Sequence, residues 1–256
     1  MSKLINLKQL ETIIGEIHSI TYPKNQGATS EVVFLQTSAG QFVSKSAKRV
    51  KYKAWLSKEA EAMKILKEVT TLPIPTFYIF IEGVESQLIM SLVEGITLRE
   101  ALLHSTCEKE KLVLFQSFGA LLKQLHETEP PVPWITDECW LDKQLQKATY
   151  YLENDSVEGD KKLLEKLKEY KPNSTKQTLI HGDCTIDNVL VSNGKVHTFI
   201  DLAGTTYGDP RYDIALATRS IRDNEEMLQA FYKGYVRQTI SVEEFNYFDE
   251  GLYEFF

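Results

Sequence analysis

Cysteine is scarce in this chain. Cys107, Cys139 and Cys184 are odd in number and far apart among 256 residues, so no disulfide framework is implied. No run of about 20 apolar residues occurs, which excludes a membrane-spanning helix. The first residues are amphipathic and interrupted by Lys3, Lys8, Glu11 and Glu16, so they lack the apolar centre of a secretion signal. With 13 Gly and 8 Pro beside 43% hydrophobic residues, the composition is neither collagen-like nor disordered. Positive charge is in the minority: 29 basic against 36 acidic residues give a net −7, a field that repels a phosphate backbone. There is no internal repeat, no G-x-x-x-x-G-K-[ST] and no G-x-G-x-x-G. The expectation is a cytoplasmic globular protein with neither nucleic acid nor membrane as partner; oligomeric state is not legible.

What is present falls into two halves. Leu7, Leu10, Ile13 and Ile14 predict an amphipathic helix over 7–18, followed by a polar turn from Lys24 to Ser30. The runs Glu31–Gln36 and Gln41–Lys45, split by Thr37-Ser38-Ala39-Gly40, predict a hairpin. Leu56, Ala60, Met63 and Leu66 recur at helical spacing over 54–66, with Pro73 and Pro75 expected to end that helix. Phe77–Glu82 and Gln87–Ser91 predict a further strand pair. After Gly95 the pattern turns helical, over 108–127, 141–153, 159–170, 210–221, 224–236 and 242–254, broken by a β-like interval from Thr178 to Ile200. The expected class is α+β: a small antiparallel sheet with one main helix over 1–91 and a larger, mostly helical lobe over 92–256, with a connection near 91–95.

The chemistry concentrates in that β-like interval. Apolar Leu179-Ile180 leads into the polar loop His181-Gly182-Asp183-Cys184-Thr185-Ile186-Asp187-Asn188, and apolar Val189-Leu190 follows. A second apolar run delivers Asp201 after an Asn193-Gly194 turn, a strong hairpin signal that predicts the loop and Asp201 at one mouth. Asp183, Asn188 and Asp201 would there present the oxygen donors that a hard cation such as Mg²⁺ requires, with one carboxylate left to orient an attacking hydroxyl. Any one of these residues alone would be an ordinary turn or capping residue. Their joint placement at the ends of apolar runs is what sets them apart.

The pattern H-G-D-x-x-x-x-N followed by I-D resembles that of the aminoglycoside phosphotransferase and choline kinase superfamily, whose fold is protein-kinase-like and two-lobed. The resemblance spans about residues 10–256 and is greatest to the aminoglycoside 3′-phosphotransferases, to which Tyr212–Arg219 and the terminal Leu252-Tyr253-Glu254-Phe255-Phe256 are also similar. It implies a transfer of the γ-phosphate of ATP (or GTP), with Mg²⁺, to a hydroxyl of a small cationic or hydroxylated acceptor. Asp183 would then be the catalytic Asp, Asn188 and Asp201 the metal ligands, and Asp213 the helix acid that ties down the catalytic loop. Lys45 would meet the α/β-phosphates with Glu59 as its partner, Glu61 being the rival. Thr29 and Ser30 would line the phosphates, and backbone groups of Ser91 and Val93 would pair with the base. Asp223, Glu254 and the carboxylate of Phe256 are the candidate contacts for an acceptor amine. Tyr253 departs from the pattern, standing where those enzymes usually carry Asp.

Other readings use the same residues. A catalytically dead nucleotide-binding regulator would lack the Asp, the Asn or the metal acid, all of which are present. A cysteine hydrolase would need Cys184 and His181 as nucleophile and base, three residues apart and without an orienting third group. A zinc site would need two ligands beyond His181 and Cys184.

Overall fold

The computed structural model describes residues 7–23, 26, 27 and 29–256, with side chains from Leu10 onward. Residues 1–6, and with them Lys3, lie outside the described residues, as do Lys24, Asn25 and Ala28 of the polar turn. Contacts gather the chain into two compact units, 1–94 with 199–204, and 95–198 with 205–256. The sequence reading divided the chain once, at 91/92; the structure divides it after Glu94 and again around the short segment that carries Asp201.

The first unit opens with helix α1, Leu7–Ile14, rather than the helix to residue 18 expected from sequence. Gly15 stops it by taking φ +78°, a conformation glycine adopts without a Cβ penalty, while its N–H still bonds Glu11 O at 3.0 Å. A Cβ at Gly15 would also collide with the Ser38 side chain. Ile17–Thr21, rich in β-branched residues, then forms strand β1. With β2 (Glu31–Thr37), β3 (Gly40–Ala47), β4 (Phe77–Ile81) and β5 (Ser86–Ser91) it builds a five-stranded antiparallel sheet in the order β1-β2-β3-β5-β4. Leu10 and Ile14 of α1 pack with Val33, Leu35, Phe42 and Ile89 of the sheet to form a core. The register pairs Lys45 with Val32 on one side and Leu88 on the other, so Lys45 stands on the central strand.

Helix α2 is longer than its apolar spacing suggested, Val50–Val69. It ends at Thr70, whose hydroxyl donates to Leu66 O at 2.6 Å, before Pro73 and Pro75 are reached. The segment 199–204 joins this unit through Phe199 N–H, which donates to Pro73 O at 3.0 Å, and through Leu202, which is buried.

The second unit holds α3 (Leu98–His104), α4 (Glu108–Glu127), α5 (Trp140–Asn154), α6 (Lys161–Glu169), α7 (Pro210–Thr218), α8 (Glu225–Tyr235) and α9 (Val242–Phe248). Two small sheets accompany them. β7 (Thr178–Ile180) pairs with β10 (Thr206–Gly208), and β8 (Val189–Ser192) lies between β6 (Ile96–Thr97) and β9 (Lys195–Phe199). The Asn193-Gly194 turn joins β8 to β9 with φ of 50° and 72°, the left-handed pair its sequence predicts. The strands β6 and β10 were not foreseen, because two- and three-residue bridges leave no periodic trace.

Two expected helices are also shorter here. The pattern over 210–221 resolves into α7 and a 3-10 turn, Arg219–Ile221. The pattern over 242–254 resolves into α9 and a 3-10 turn, Leu252–Phe255. α4 and α8 approach closely because Gly119 and Gly234 face each other's backbones, where any Cβ would collide with Phe231 O and Gln116 O.

Candidate active site

In the first unit, Lys45 Nζ donates to Glu59 Oε1 at 2.7 Å and lies 3.6 Å from Asp201 Oδ2. Strand β3 supplies the lysine and α2 the glutamate, both nearly buried. Burial would push the Lys45 ammonium down, but the Asp201 and Glu59 carboxylates outweigh it, so its pKa is raised above the ordinary lysine value. Burial pushes the Glu59 carboxyl up, and Lys45 opposes that shift. Lys45 is therefore a fixed cation. Its rivals are spent elsewhere: Lys48 pairs with Glu85, Lys53 donates to Gly83 O, and Lys51 sits over the Trp55 ring. Glu61 is exposed.

Asp201 takes φ +59°, a left-handed conformation that Asp tolerates better than most residues, and its side chain is 42% exposed. Strain at a non-glycine residue is a frequent mark of a working position.

The segment before β2 is held by a side chain the sequence reading overlooked. Gln26 donates to Val32 O at 2.9 Å and accepts from Val32 N at 2.7 Å, imitating a strand partner. This places Thr29 and Ser30, both half-buried, immediately before β2. At the end of β5, Ser91 N–H is occupied by Thr76 O at 2.9 Å and Leu92 N–H by Gln41 O at 3.1 Å. Val93 N–H has no hydrogen-bond partner among the described residues. A base would thus find a donor at Val93, while Ser91, its N–H occupied, could contribute its carbonyl oxygen as an acceptor.

In the second unit, the loop after β7 is organised by a fully buried carboxylate. Asp213 accepts from His181 N at 2.6 Å, from Gly182 N at 2.8 Å, and lies 3.2 Å from His126 Nε2. It sits in the first turn of α7, which Asp209 caps and Pro210 begins. His126 Nδ1 is 2.7 Å from Tyr235 Oη. Burial lowers the His126 pKa, with Asp213 opposing, so the ring is neutral; Nε2–H donates to Asp213 and Nδ1 accepts from Tyr235. His126 was missed, although the signal was there: a histidine one helical turn beyond Leu122 on the apolar face of α4.

The loop itself closes on Asp183. Its N–H donates to His181 Nδ1 at 3.2 Å. Asn188 Nδ2 donates to both Asp183 O and Asp183 Oδ2, each at 2.8 Å. With the amide nitrogen committed to those two acceptors, the remaining Asn188 atom is its carbonyl oxygen, the donor a hard cation takes. Tyr253 Oη donates to Asp183 Oδ1 at 3.2 Å. Asp187, the other acid of the loop, is held by Arg99 of α3 through two hydrogen bonds of 2.5 and 2.6 Å.

Among the described residues, no group of three or more His, Cys, Asp or Glu could hold a metal ion. A cation bound by one Asp, one Asn and phosphate oxygens needs no such group. The Cys184 thiol is buried, and burial together with Asp213 and Asp183 pushes its pKa well above the ordinary value, so it is a poor nucleophile.

The acceptor candidates are dispersed within the second unit. Asp223 is almost fully exposed beside Arg222, which also bonds Glu250. Glu254 is turned toward Glu158, and partial burial with that neighbour raises its pKa. Phe256 packs its ring edge-on against Tyr151.

Residues 23–245 match the family described as Phosphotransferase enzyme family (APH). An aminoglycoside 3′-phosphotransferase of Enterococcus faecalis is 33% identical over 108 residues, 36% of this chain and 40% of that protein. The alignment therefore spans about two fifths of the curated relative's length. Among solved structures, the crystal structure of aminoglycoside-3′-phosphotransferase of type VIII superposes with a TM-score of 0.76 at 20% identity, covering 98% of this chain and 99% of that one. The streptomycin-ATP-APH(2")-IIa ternary complex gives 0.66 at 22% identity, covering 93% and 84%. These likenesses show the α+β, protein-kinase-like fold. Together with a family match over most of its length, they establish that this chain belongs to the phosphotransferase enzyme family.

Proposed function

We propose that the protein transfers the γ-phosphoryl group of ATP or GTP to a hydroxyl of a small molecule, with an aminoglycoside as the first acceptor class, in the cytoplasm. The carrying observation is the pair of hydrogen bonds that Asn188 Nδ2 donates to Asp183 O and Asp183 Oδ2. It fixes the carboxylate that would meet the acceptor hydroxyl and leaves the amide oxygen as the Asn188 side-chain atom that could serve a cation. In the proposed step the acceptor hydroxyl donates to Asp183, which positions the oxygen for attack and takes the proton as the new oxygen–phosphorus bond forms, the bond from the γ-phosphorus to the β–γ bridging oxygen breaks and nucleoside diphosphate leaves. Lys45, oriented by Glu59, neutralises charge on the α/β-phosphates, and Val93 N–H and the Ser91 carbonyl pair with the base. Asn188 Oδ1 and the Asp201 carboxylate would hold Mg²⁺, which when bound supplies charge neutralisation on the phosphate oxygens. Thr29 and Ser30 are assigned to the phosphates, and Asp223, Glu254 and the Phe256 carboxylate to acceptor amines.

The test is nucleoside diphosphate release from Mg-ATP and Mg-GTP across a panel of aminoglycosides and simpler amino alcohols. Acceptor-dependent release that disappears in Asp183→Asn, with nucleotide binding kept, is the expected result. Full activity in that variant would overturn the mechanism.

A further inference from the structure

The hydroxyl of Tyr253 already occupies one side of Asp183 Oδ1, and Tyr253 does not stand alone. The Arg219 guanidinium lies 4.3 Å from the centroid of its ring. Arg219 is anchored from behind by Asp249, which is buried, and its own side chain remains 38% exposed. The Asp249 carboxyl is raised by burial and lowered by Arg219, while the Arg219 guanidinium stays charged. The arrangement has a direction: the acid is inside, the cation faces outward, and a phenol bridges that cation to the carboxylate that meets the acceptor. Of the neighbouring charges, Arg222 is paired with Glu250 and contacts Asp223, and Glu254 is turned toward Glu158.

We infer that Arg219, presented by Tyr253, determines acceptor specificity: it favours an acceptor with an oxygen-bearing group next to its reacting hydroxyl and disfavours one with an ammonium there. The inference rests on the phosphoryl-transfer reading above and refines its substrate class. The physical basis is short. Tyr253 links the two, its ring centroid 4.3 Å from the guanidinium and its hydroxyl 3.2 Å from Asp183 Oδ1, and charges in physiological salt act over about 8–10 Å. In a partly dry site, like charges at that range repel, whereas a hydroxyl oxygen accepts a hydrogen bond from Tyr253 or Arg219. Ammonium groups more than a Debye length away are largely screened from it. Acceptor recognition at this end therefore differs from what Asp223, Glu254 and the Phe256 carboxylate would offer.

Kanamycin A and kanamycin B separate these alternatives, since they differ in one group, a hydroxyl or an ammonium on the carbon beside the 3′-hydroxyl. The full-length protein with Mg-ATP should show kcat/KM at least about tenfold higher for kanamycin A, with most of the difference in KM. Arg219→Lys keeps the charge and should keep the preference. Arg219→Gln with Asp249→Asn removes both charges without leaving a buried acid unpaired, and should bring the two substrates within about threefold by improving kanamycin B. Equal use of both by the wild type, or a preference for kanamycin B, overturns the inference and leaves the transfer reading standing. Loss of preference in Arg219→Lys, or its survival in the double variant, also overturns it. Transfer to neither compound, with no diphosphate released, overturns the aminoglycoside reading and the inference with it.

Discussion

The two units hold their reactive groups in place by different physical means. In the first, a strand lysine is clamped by side-chain charge, Glu59 at 2.7 Å and Asp201 at 3.6 Å, drawn from a helix and a distant loop. In the second, Asp183 sits in a loop whose backbone N–H groups converge on one buried acid, Asp213, backed by His126 and Tyr235. The first arrangement orients a charge, and little else collapses if one member is replaced by an uncharged isostere. The second holds a chain conformation, so removing its central acid strands a buried N–H, a half-buried N–H and a histidine at once.

The largest expected effect falls on chemistry. Asp183→Asn should lower kcat by about 10²–10⁴, the usual contribution of a positioned general base, with a melting temperature close to wild type. A fall in stability of comparable size would show that Asp183 belongs to the scaffold rather than to the reaction. Next comes the scaffold itself: Asp213→Ala should cost about 3 kcal/mol or more in urea unfolding, because several charge-assisted hydrogen bonds are lost from a buried site. A cost below about 1 kcal/mol would erase the distinction between the units.

Lys45→Met should instead raise the KM for nucleotide with a modest stability change, since the Glu59 carboxyl, already raised by burial, can take up a proton once its partner is gone. Unfolding of that variant at neutral pH would mean that the ion pair is structural.

The smallest effect is in pH dependence. Burial lowers the folded His126 pKa below its ordinary value of 6.5, so below that pH the unfolded chain binds more protons than the folded one. Stability from this group is fully present above pH 6.5 and falls as pH drops toward the folded pKa. His126→Gln, which keeps a donor for Asp213, should show a flatter acid limb than wild type in denaturant unfolding from pH 7 to 5. Parallel limbs would show that His126 is not the group responsible.

Much of the site was legible because its signals are local. The loop from His181 to Asn188 lies between two apolar runs, and the Asn193-Gly194 turn carries its own backbone preference. Glu59 was readable only as one of two helix acids; its burial against Lys45, with Glu61 left exposed, is a property of how α2 lies on the sheet. The helix that was to reach residue 18 failed because periodicity cannot see that Gly15 must pass close to Ser38. His126 and Tyr253 act through partners 87 and 70 residues away, Asp213 and Asp183, and no short window pairs them, while Gln26 bonds the backbone of Val32 in a way that side-chain patterning does not record.

The sequence by itself determined the class of fold and singled out the candidate loop from His181 to Asn188, because hydrophobic period, turn residues and the spacing of Asp183 and Asn188 are properties of neighbours along the chain. The tertiary structure alone decided which carboxylate holds Lys45, that Asp201 packs with the sheet unit, and that Arg219 stands beside Tyr253. Those outcomes depend on side chains brought together across the fold, where burial sets how strongly neighbouring charges act on one another.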